Sequence, residues 1–354
     1  MYDYTDDDRL PVTILTGFLG AGKTTLLNNL IKTCPEKKFA VIENEFGEIS
    51  IDNDLIVGVE NDNIFEMSNG CICCTLNGDL AELLFDILNI RHKLTHMVVE
   101  TTGIADPSTV VQAFMSSEQI EMFYRIDSVV CLVDARNIKA IAADTEMAAK
   151  QITYADVIVL NKIDLVNEAA LAEAESLVAT YNPFAKIVRS SFGQIDGDAL
   201  LDTWAYAPPV IENFSLDASR MKLNSGVLKP AGFALVQKQQ TPLAHDIESH
   251  SYTFTRDFDP HKFNFWLDHL IEYYGAGIYR IKGIVSFAGV AQKVVVQSVR
   301  DHIMISAGEN WQPAEQRSSR LIFIGKNLSH LRLEESLVEL LGGDLQQSVN
   351  LLQR

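Results

Sequence analysis

The chain has 354 residues, enough for two domains, and its 47% hydrophobic and 21% charged content suits a globular core, with no apolar tract long enough to cross a bilayer. Its 29 basic residues against 47 acidic ones give a net charge of −18, which argues against nucleic acid and anionic membranes as partners because both would be repelled. Five cysteines, three of them within four residues, do not form a disulfide framework, and the acidic N-terminus is unlike a secretory signal, so the expected location is cytoplasmic.

In chain order, apolar residues 12–15 predict a strand and 26–31 a helix. Between them lies Thr16-Gly17-Phe18-Leu19-Gly20-Ala21-Gly22-Lys23-Thr24-Thr25, a match to G-x-x-x-x-G-K-[ST] in the strand–loop–helix setting that such a loop requires. Gly20 and Gly22 have no Cβ, so the backbone can curl closely round a phosphate and aim N–H groups at it, with Gly17 and Ala21 also read as nucleotide-binding positions of this loop. The helix N-terminus adds partial positive charge; Lys23 is expected to reach the β/γ-phosphates, and the Thr24 hydroxyl to face Mg²⁺, with Thr25 beside it.

Residues 39–42 read as a strand buried on both faces, running into Glu43-Asn44-Glu45-Phe46-Gly47-Glu48. Next come Gly70-Cys71-Ile72-Cys73-Cys74 and a predicted helix over 79–89. A strand at 97–99 ends in Glu100-Thr101-Thr102-Gly103. There Glu100 is expected to orient the attacking water or a Mg²⁺-bound one, and the Gly103 N–H to sense a γ-phosphate. Further strands at 126–133 and 155–160 end at Asp134 and at Asn161-Lys162-Ile163-Asp164, and a helix covers roughly 169–179. Asp106 and Asp127 read equally well as turn or cap residues. Strand–helix alternation of this kind implies a doubly wound, mainly parallel α/β sheet, with ligand groups at the carboxyl ends of its strands.

N-K-x-D after such a loop identifies the base. The Asp164 carboxylate can accept from guanine N1–H and the 2-amino group, whereas adenine offers a lone pair and no amino group there. Asn161 braces the loop and the Lys162 stem lies over the base. The nucleotide is therefore read as GTP, with GDP as product.

Cys71, Cys73 and Cys74 are close enough for two or three thiolates to share an ion, yet C-x-C-C cannot close a tetrahedral site alone, which suits a site that takes up and releases metal. Glu43, Glu45 or Glu48 could complete it. Thiolates favour Zn²⁺ or Cu⁺, and a mixed S/O set also admits Co²⁺ or Ni²⁺. A redox pair formed by Cys73 and Cys74 is the competing reading of the same residues. Cys34 and Cys131 read as core, and no histidine is assigned as a ligand; His250 and His261 read as surface residues.

Past Pro208-Pro209 the pattern changes. Residues 208–246 read as a linker between a phosphate-loop domain over 9–207 and a smaller α+β domain over 247–345. In the latter, strands at 251–255, 278–287, 293–299 and 321–324 and helices at 260–273 and 331–341 suggest a largely antiparallel sheet.

Taken together and in this order, the phosphate loop, the segment from Glu43 to Glu48, the Gly70–Cys74 motif, Glu100 to Gly103 and Asn161 to Asp164 resemble the CobW-like metallochaperone GTPases, relatives of HypB and UreG. Arg280-Ile281-Lys282-Gly283 and Phe323-Ile324-Gly325 resemble that family's carboxy-terminal domain. The resemblance implies slow GTP hydrolysis, transition-metal binding at the cysteines, zinc first, and delivery to a client metalloprotein, with homodimerisation left open. It also implies that Glu43 and Glu48 match acidic positions associated with metal and that Cys73 is the middle cysteine. The histidine-rich tract of many members is missing here. A nucleotide-gated protein-binding module, with hydrolysis incidental, is the alternative.

Overall fold

The computed structural model describes residues 7–43, 64–68, 79–115, 117–206 and 244–341. These fall into two compact units, the first holding the described residues up to 206 and the second those from 246 on.

The first unit alternates strands and helices: β1 (Leu10–Gly17), α1 (Lys23–Thr33), β2 (Phe39–Glu43), β3 (Ile64–Ser68), α2 (Asp79–Leu88), β4 (His96–Glu100), α3 (Pro107–Met115), α4 (Glu118–Phe123), β5 (Tyr124–Asp134), α5 (Ile138–Asp144), α6 (Glu146–Tyr154), β6 (Val157–Asn161), α7 (Glu168–Tyr181) and β7 (Lys186–Arg189). The seven strands form one sheet in the order β3-β2-β4-β1-β5-β6-β7, every pairing parallel. Parallel strands require crossovers, and the helices that supply them cover the sheet, so β1, β5 and β6 are buried along their whole length. Leu15, Leu26, Leu27, Val130, Leu132 and Val159 form the core beneath the phosphate loop, and Cys34 packs with them. Cys131, on β5, is buried too. This is the doubly wound architecture expected of the sequence.

Two strands of this sheet go beyond the sequence reading. β3 (Ile-Phe-Glu-Met-Ser) and β7 (Lys-Ile-Val-Arg) are short edge strands, and β7 is half exposed, so neither carries the continuous apolar run that marks a buried parallel strand.

The second unit comprises β8 (Ile247–Phe254), α8 (Pro260–Tyr274), β9 (Ile278–Val285), β10 (Gln292–Val299), β11 (His302–Asn310), β12 (Ser319–Lys326) and α9 (Leu333–Glu339). Its five-stranded sheet has the order β11-β10-β9-β12-β8, antiparallel throughout. Phe254, Phe258, Phe263, Leu267, Phe287, Phe323 and Leu337 pack into one aromatic-rich core between sheet and helices. Asp259 caps α8 by accepting from the His261 and Lys262 amides at 2.9 and 3.0 Å, and Pro260 occupies the first turn, where its missing N–H costs nothing.

Three details correct the sequence reading. His250 is buried, not a surface residue: alternation along β8 carries it inward with Tyr252 and Phe254, and its ring meets Glu248 Oε2 at 2.7 Å and the Tyr252 hydroxyl at 3.1 Å. The helix expected over 331–341 is split, because Arg332 takes a left-handed conformation (φ 46°) between a short 3₁₀ turn and α9. The exposed edge strand β11 was absent from the reading because its residues follow no apolar pattern.

Candidate functional site: a phosphate cradle at the carboxyl edge of the parallel sheet

β1 ends at Gly17, and the chain turns through residues 18–22 into α1. Gly22 precedes the helix at φ 105°, a conformation strained for any residue with a Cβ. A Cβ there would also lie 2.6 Å from Asn161 Nδ2. No side chain caps α1 and no acidic residue sits in its first turn, so its leading N–H groups and positive dipole end face outward from the sheet edge. Lys23 is buried and donates to the Gly17 carbonyl at 3.0 Å, folding its ammonium back over the loop. Ala21 is buried beneath the turn, its N–H donating to the Phe18 carbonyl at 3.1 Å; Gly20 and Thr25 are exposed.

Strand pairing brings the other ends alongside. Glu100 stands level with Leu15 of β1 on one side and with Glu43 of β2 on the other, and Glu43 is level with Ser68, the last residue of β3. The Thr24 hydroxyl donates to Glu100 Oε1 at 3.2 Å, so the first turn of α1 and the end of β4 share one patch of hard oxygen donors. Among the described residues, the buried hydroxyls of Thr16, Thr101 and Thr102 find no hydrogen-bond partner. Such an oxygen set fits a small hard divalent cation beside a phosphate. Gly103 packs so closely on the loop that a Cβ would lie 2.6 Å from the Leu19 nitrogen and 2.8 Å from its Cα. The turn after β4 therefore rests directly on the phosphate loop.

At the other flank, Asn161 is buried and ties three pieces together. Its amide donates to the Ala21 carbonyl at 2.9 Å and its oxygen accepts from the Gly193 N–H at 3.1 Å. Lys162, in a left-handed conformation, donates to the Gly20 carbonyl at 2.7 Å and to Asp134 Oδ2 at 2.9 Å. Burial would raise the Asp134 carboxyl, but the bonds from Lys162, the Arg136 N–H and Asn137 outweigh it and hold the group below its ordinary range. Asp164 lies exposed on the 3₁₀ turn that follows.

The loop over 190–194, which no sequence motif marks, borders this flank. It leaves β7, donates Gly193 N–H to Asn161, and accepts from Asn29 of α1 through the Phe192 carbonyl at 2.8 Å. Ile163 N–H donates to the Ser190 carbonyl at 3.2 Å, joining it to the Asn161–Asp164 turn. Residue types there (Ser-Ser-Phe-Gly-Gln) carry no ligand signature, so only the topology, which makes β6 and β7 neighbours, discloses it.

Asp106 and Asp127 have local roles. Asp106 accepts from the Ser108 N–H at 3.0 Å at the start of α3, and Asp127 is bound at the opposite edge of the sheet. Cys71, Cys73, Cys74, Glu45 and Glu48 lie outside the described residues. Of Glu43 only the backbone is described, ending β2.

Residues 11–189 match the CobW/HypB/UreG nucleotide-binding domain and residues 247–341 the cobalamin synthesis protein CobW C-terminal domain. The chain belongs to the CobW/HypB/UreG family of P-loop GTPases. Within it, the chain is 32% identical to the zinc chaperone YjiA of Escherichia coli over 90% of its own length and 95% of YjiA's. It is 30% identical to the zinc chaperone CobW of Pseudomonas aeruginosa, covering 93% and 91% of the two chains. The zinc-regulated GTPase metalloprotein activator 1 of Schizosaccharomyces pombe is 34% identical over a shorter stretch, 60% of this chain and 54% of that one. Among solved structures, Zn(II)-bound YjiA GTPase superposes with a TM-score of 0.71 at 27% identity, over 94% of this chain and 99% of that one. No helix among the described residues is long and apolar enough to cross a membrane.

Proposed function

We propose that this GTPase is a metallochaperone: it binds zinc through Cys71, Cys73 and Cys74 with Glu43 and Glu48, and passes the ion to a client metalloprotein under nucleotide control. The observation that carries the reading is the register at the carboxyl edge. Glu100, bonded to Thr24, is the strand neighbour of Glu43, and Glu43 is the strand neighbour of Ser68, three residues before Cys71. Acidic and cysteine segments that leave adjacent strands at the phosphate edge are suited to feel what occupies it. The zinc named for YjiA, CobW and the fission-yeast activator supports the choice of metal.

In this reading GTP lies along the loop with its phosphates on the α1 N–H groups. Lys23 exchanges the Gly17 carbonyl for the β/γ-phosphates, an ion pair replacing an ion–dipole bond. Thr24 would hold magnesium, with Glu100 placed to orient its bound water or the attacking one, and the ion would neutralise charge building on the phosphates. Gly103 N–H meets the γ-phosphate, and Asp164 reads guanine, with Asn161 and the 190–194 loop shaping the base side. Hydrolysis removes the γ-phosphate contacts. That difference is what moves the metal ligands between holding and releasing arrangements; reversing a two-state ratio from 1:99 to 99:1 needs about 5.5 kcal/mol of differential binding.

The test is zinc affinity measured with a GTP analogue, with GDP and without nucleotide, in wild type and in Cys73→Ser. At least a tenfold spread among the nucleotide states is expected, abolished by the serine. Equal affinities in all three states would remove the coupling, and unchanged affinity in Cys73→Ser would remove the site.

A further inference from the structure

The turn that follows Glu100 is held from behind by a residue with no part in any motif. Gln151, on α6, is buried, at 1% exposure, and its amide nitrogen donates to two carbonyls of that turn: Gly103 at 3.2 Å and Ala105 at 3.0 Å. The turn is closed on itself by Ala105 N–H donating to the Thr102 carbonyl at 3.1 Å, and its front packs on Leu19. Gln151 also borders a cavity of about 10 Å³ with Phe18 of the phosphate loop, Cys131 and Asp134. A single amide thus binds the same turn that packs on Leu19 and lies alongside the phosphate loop itself. Both donor hydrogens are committed, so the carbonyls on either side of Ile104 are fixed together. Among the described residues, Gln151 Oε1 has no hydrogen-bond partner, a cost for a buried acceptor that packing alone would not require.

We infer that Gln151 is a positioning residue for GTP: it pre-orders the 102–105 turn against the phosphate loop so that the Gly103 N–H is aimed before the nucleotide arrives. The inference rests on the reading above, in which this turn meets the γ-phosphate. Ordering the turn in advance removes an entropy cost from binding the triphosphate and leaves the diphosphate indifferent, because GDP has no atom there. An apolar side chain of the same length would fill the space but release both carbonyls.

The experiment measures affinity for GDP and for a non-hydrolysable GTP analogue, together with kcat and KM for GTP, in wild type, Gln151→Met, Gln151→Glu and Gly103→Ala, each at pH 6 and pH 8.5. Gln151→Met is expected to lose about tenfold in analogue affinity at both pH values with GDP held within twofold. Gln151→Glu, protonated at low pH, can donate one of the two bonds, so it should recover toward wild type at pH 6 and resemble the methionine variant at pH 8.5. Asp134, the other carboxyl lining the cavity, is common to all four proteins, and wild type at each pH corrects for it. A merely structural role moves both nucleotides together and shows no recovery in acid; either result overturns the proposal. If Gly103→Ala keeps full GTP-over-GDP preference, the γ-phosphate reading fails and Gln151 falls with it. If Gly103→Ala loses the preference while Gln151→Met keeps it, only the role of Gln151 is lost.

Discussion

The two edges of the parallel sheet are built from similar residue types to opposite ends. At the amino edge, Asp127 is wholly buried and accepts from the Thr203 N–H at 3.0 Å, the Thr203 hydroxyl at 3.2 Å, the Trp204 N–H at 2.9 Å and Arg125 Nη1 at 3.1 Å. Arg125 in turn lies 3.5 Å over the Trp204 ring and 3.5 Å from Asp202. At the carboxyl edge, ammonium groups rest on peptide carbonyls: Lys23 on Gly17, and Lys162 on Gly20 while it also pairs with Asp134 at 2.9 Å. A carboxylate with four donors has nothing to gain from a ligand. An ammonium on a neutral carbonyl gains by trading it for a phosphate, because an ion pair adds a charge–charge attraction that an ion–dipole bond lacks. What separates the two edges is that the Asp127 carboxylate already has four donors, whereas the Lys23 ammonium donates to a neutral carbonyl that a phosphate can replace.

Changes at the two edges should therefore separate activity from stability. The largest effect is expected for Lys23→Ala, which removes the carboxyl-edge cation: kcat for GTP should fall about 10²–10³-fold in a phosphate-release assay, with the thermal midpoint nearly unmoved. Retained turnover would place the chemistry elsewhere. Asp127→Ala should do the reverse. It strands Arg125 and two backbone donors, so about 3 kcal/mol of stability should be lost in denaturant unfolding, while kcat per folded molecule is kept. A matching loss of kcat would mean the amino edge takes part in catalysis and the contrast between the edges is wrong.

Asp164→Asn sharpens the base reading. The exposed carboxylate is expected to gain its two donors only from guanine, so GTP affinity should drop by about 2 kcal/mol, roughly thirtyfold, and xanthosine triphosphate should bind better than to wild type. Unchanged GTP affinity would move base recognition to the 190–194 loop.

The pattern of legibility follows the same division. The phosphate loop, the Glu100 turn and the Asn161 turn were legible because each is a local string whose chemistry depends on neighbours in sequence, and the buried strands β1, β2, β5 and β6 because parallel strands covered on both faces leave apolar runs. Gln151 and the 190–194 loop were not legible: their partners lie 46–48 residues and 32 residues away in sequence, and single amide-to-backbone bonds leave no pattern. His250 was misread for a related reason, since alternation that turns a histidine inward is visible only once the sheet face that α8 covers is known. The mixed, exposed residues of β11 give no strand signal, and only pairing with β10 makes it a strand.

An effect no larger belongs to the amino edge and has its own pH signature. His96 begins β4 with no exposed surface, its Nε2 2.9 Å from the Thr13 hydroxyl, and burial pushes the imidazole down to about 3 from its ordinary 6.5. The folded chain then refuses a proton that the unfolded chain binds. Stability from this group is full above pH 6.5 and declines as pH falls toward 3, by about 2 kcal/mol at pH 5. Denaturant unfolding across pH 7.5 to 5 should show that loss in wild type. In His96→Gln, whose amide can still meet Thr13 but cannot take a proton, most of the slope should vanish. Equal slopes in the two proteins would mean that the acid sensitivity arises elsewhere, and that the amino edge, like the carboxyl edge, contains groups whose protonation this arrangement of partners does not control.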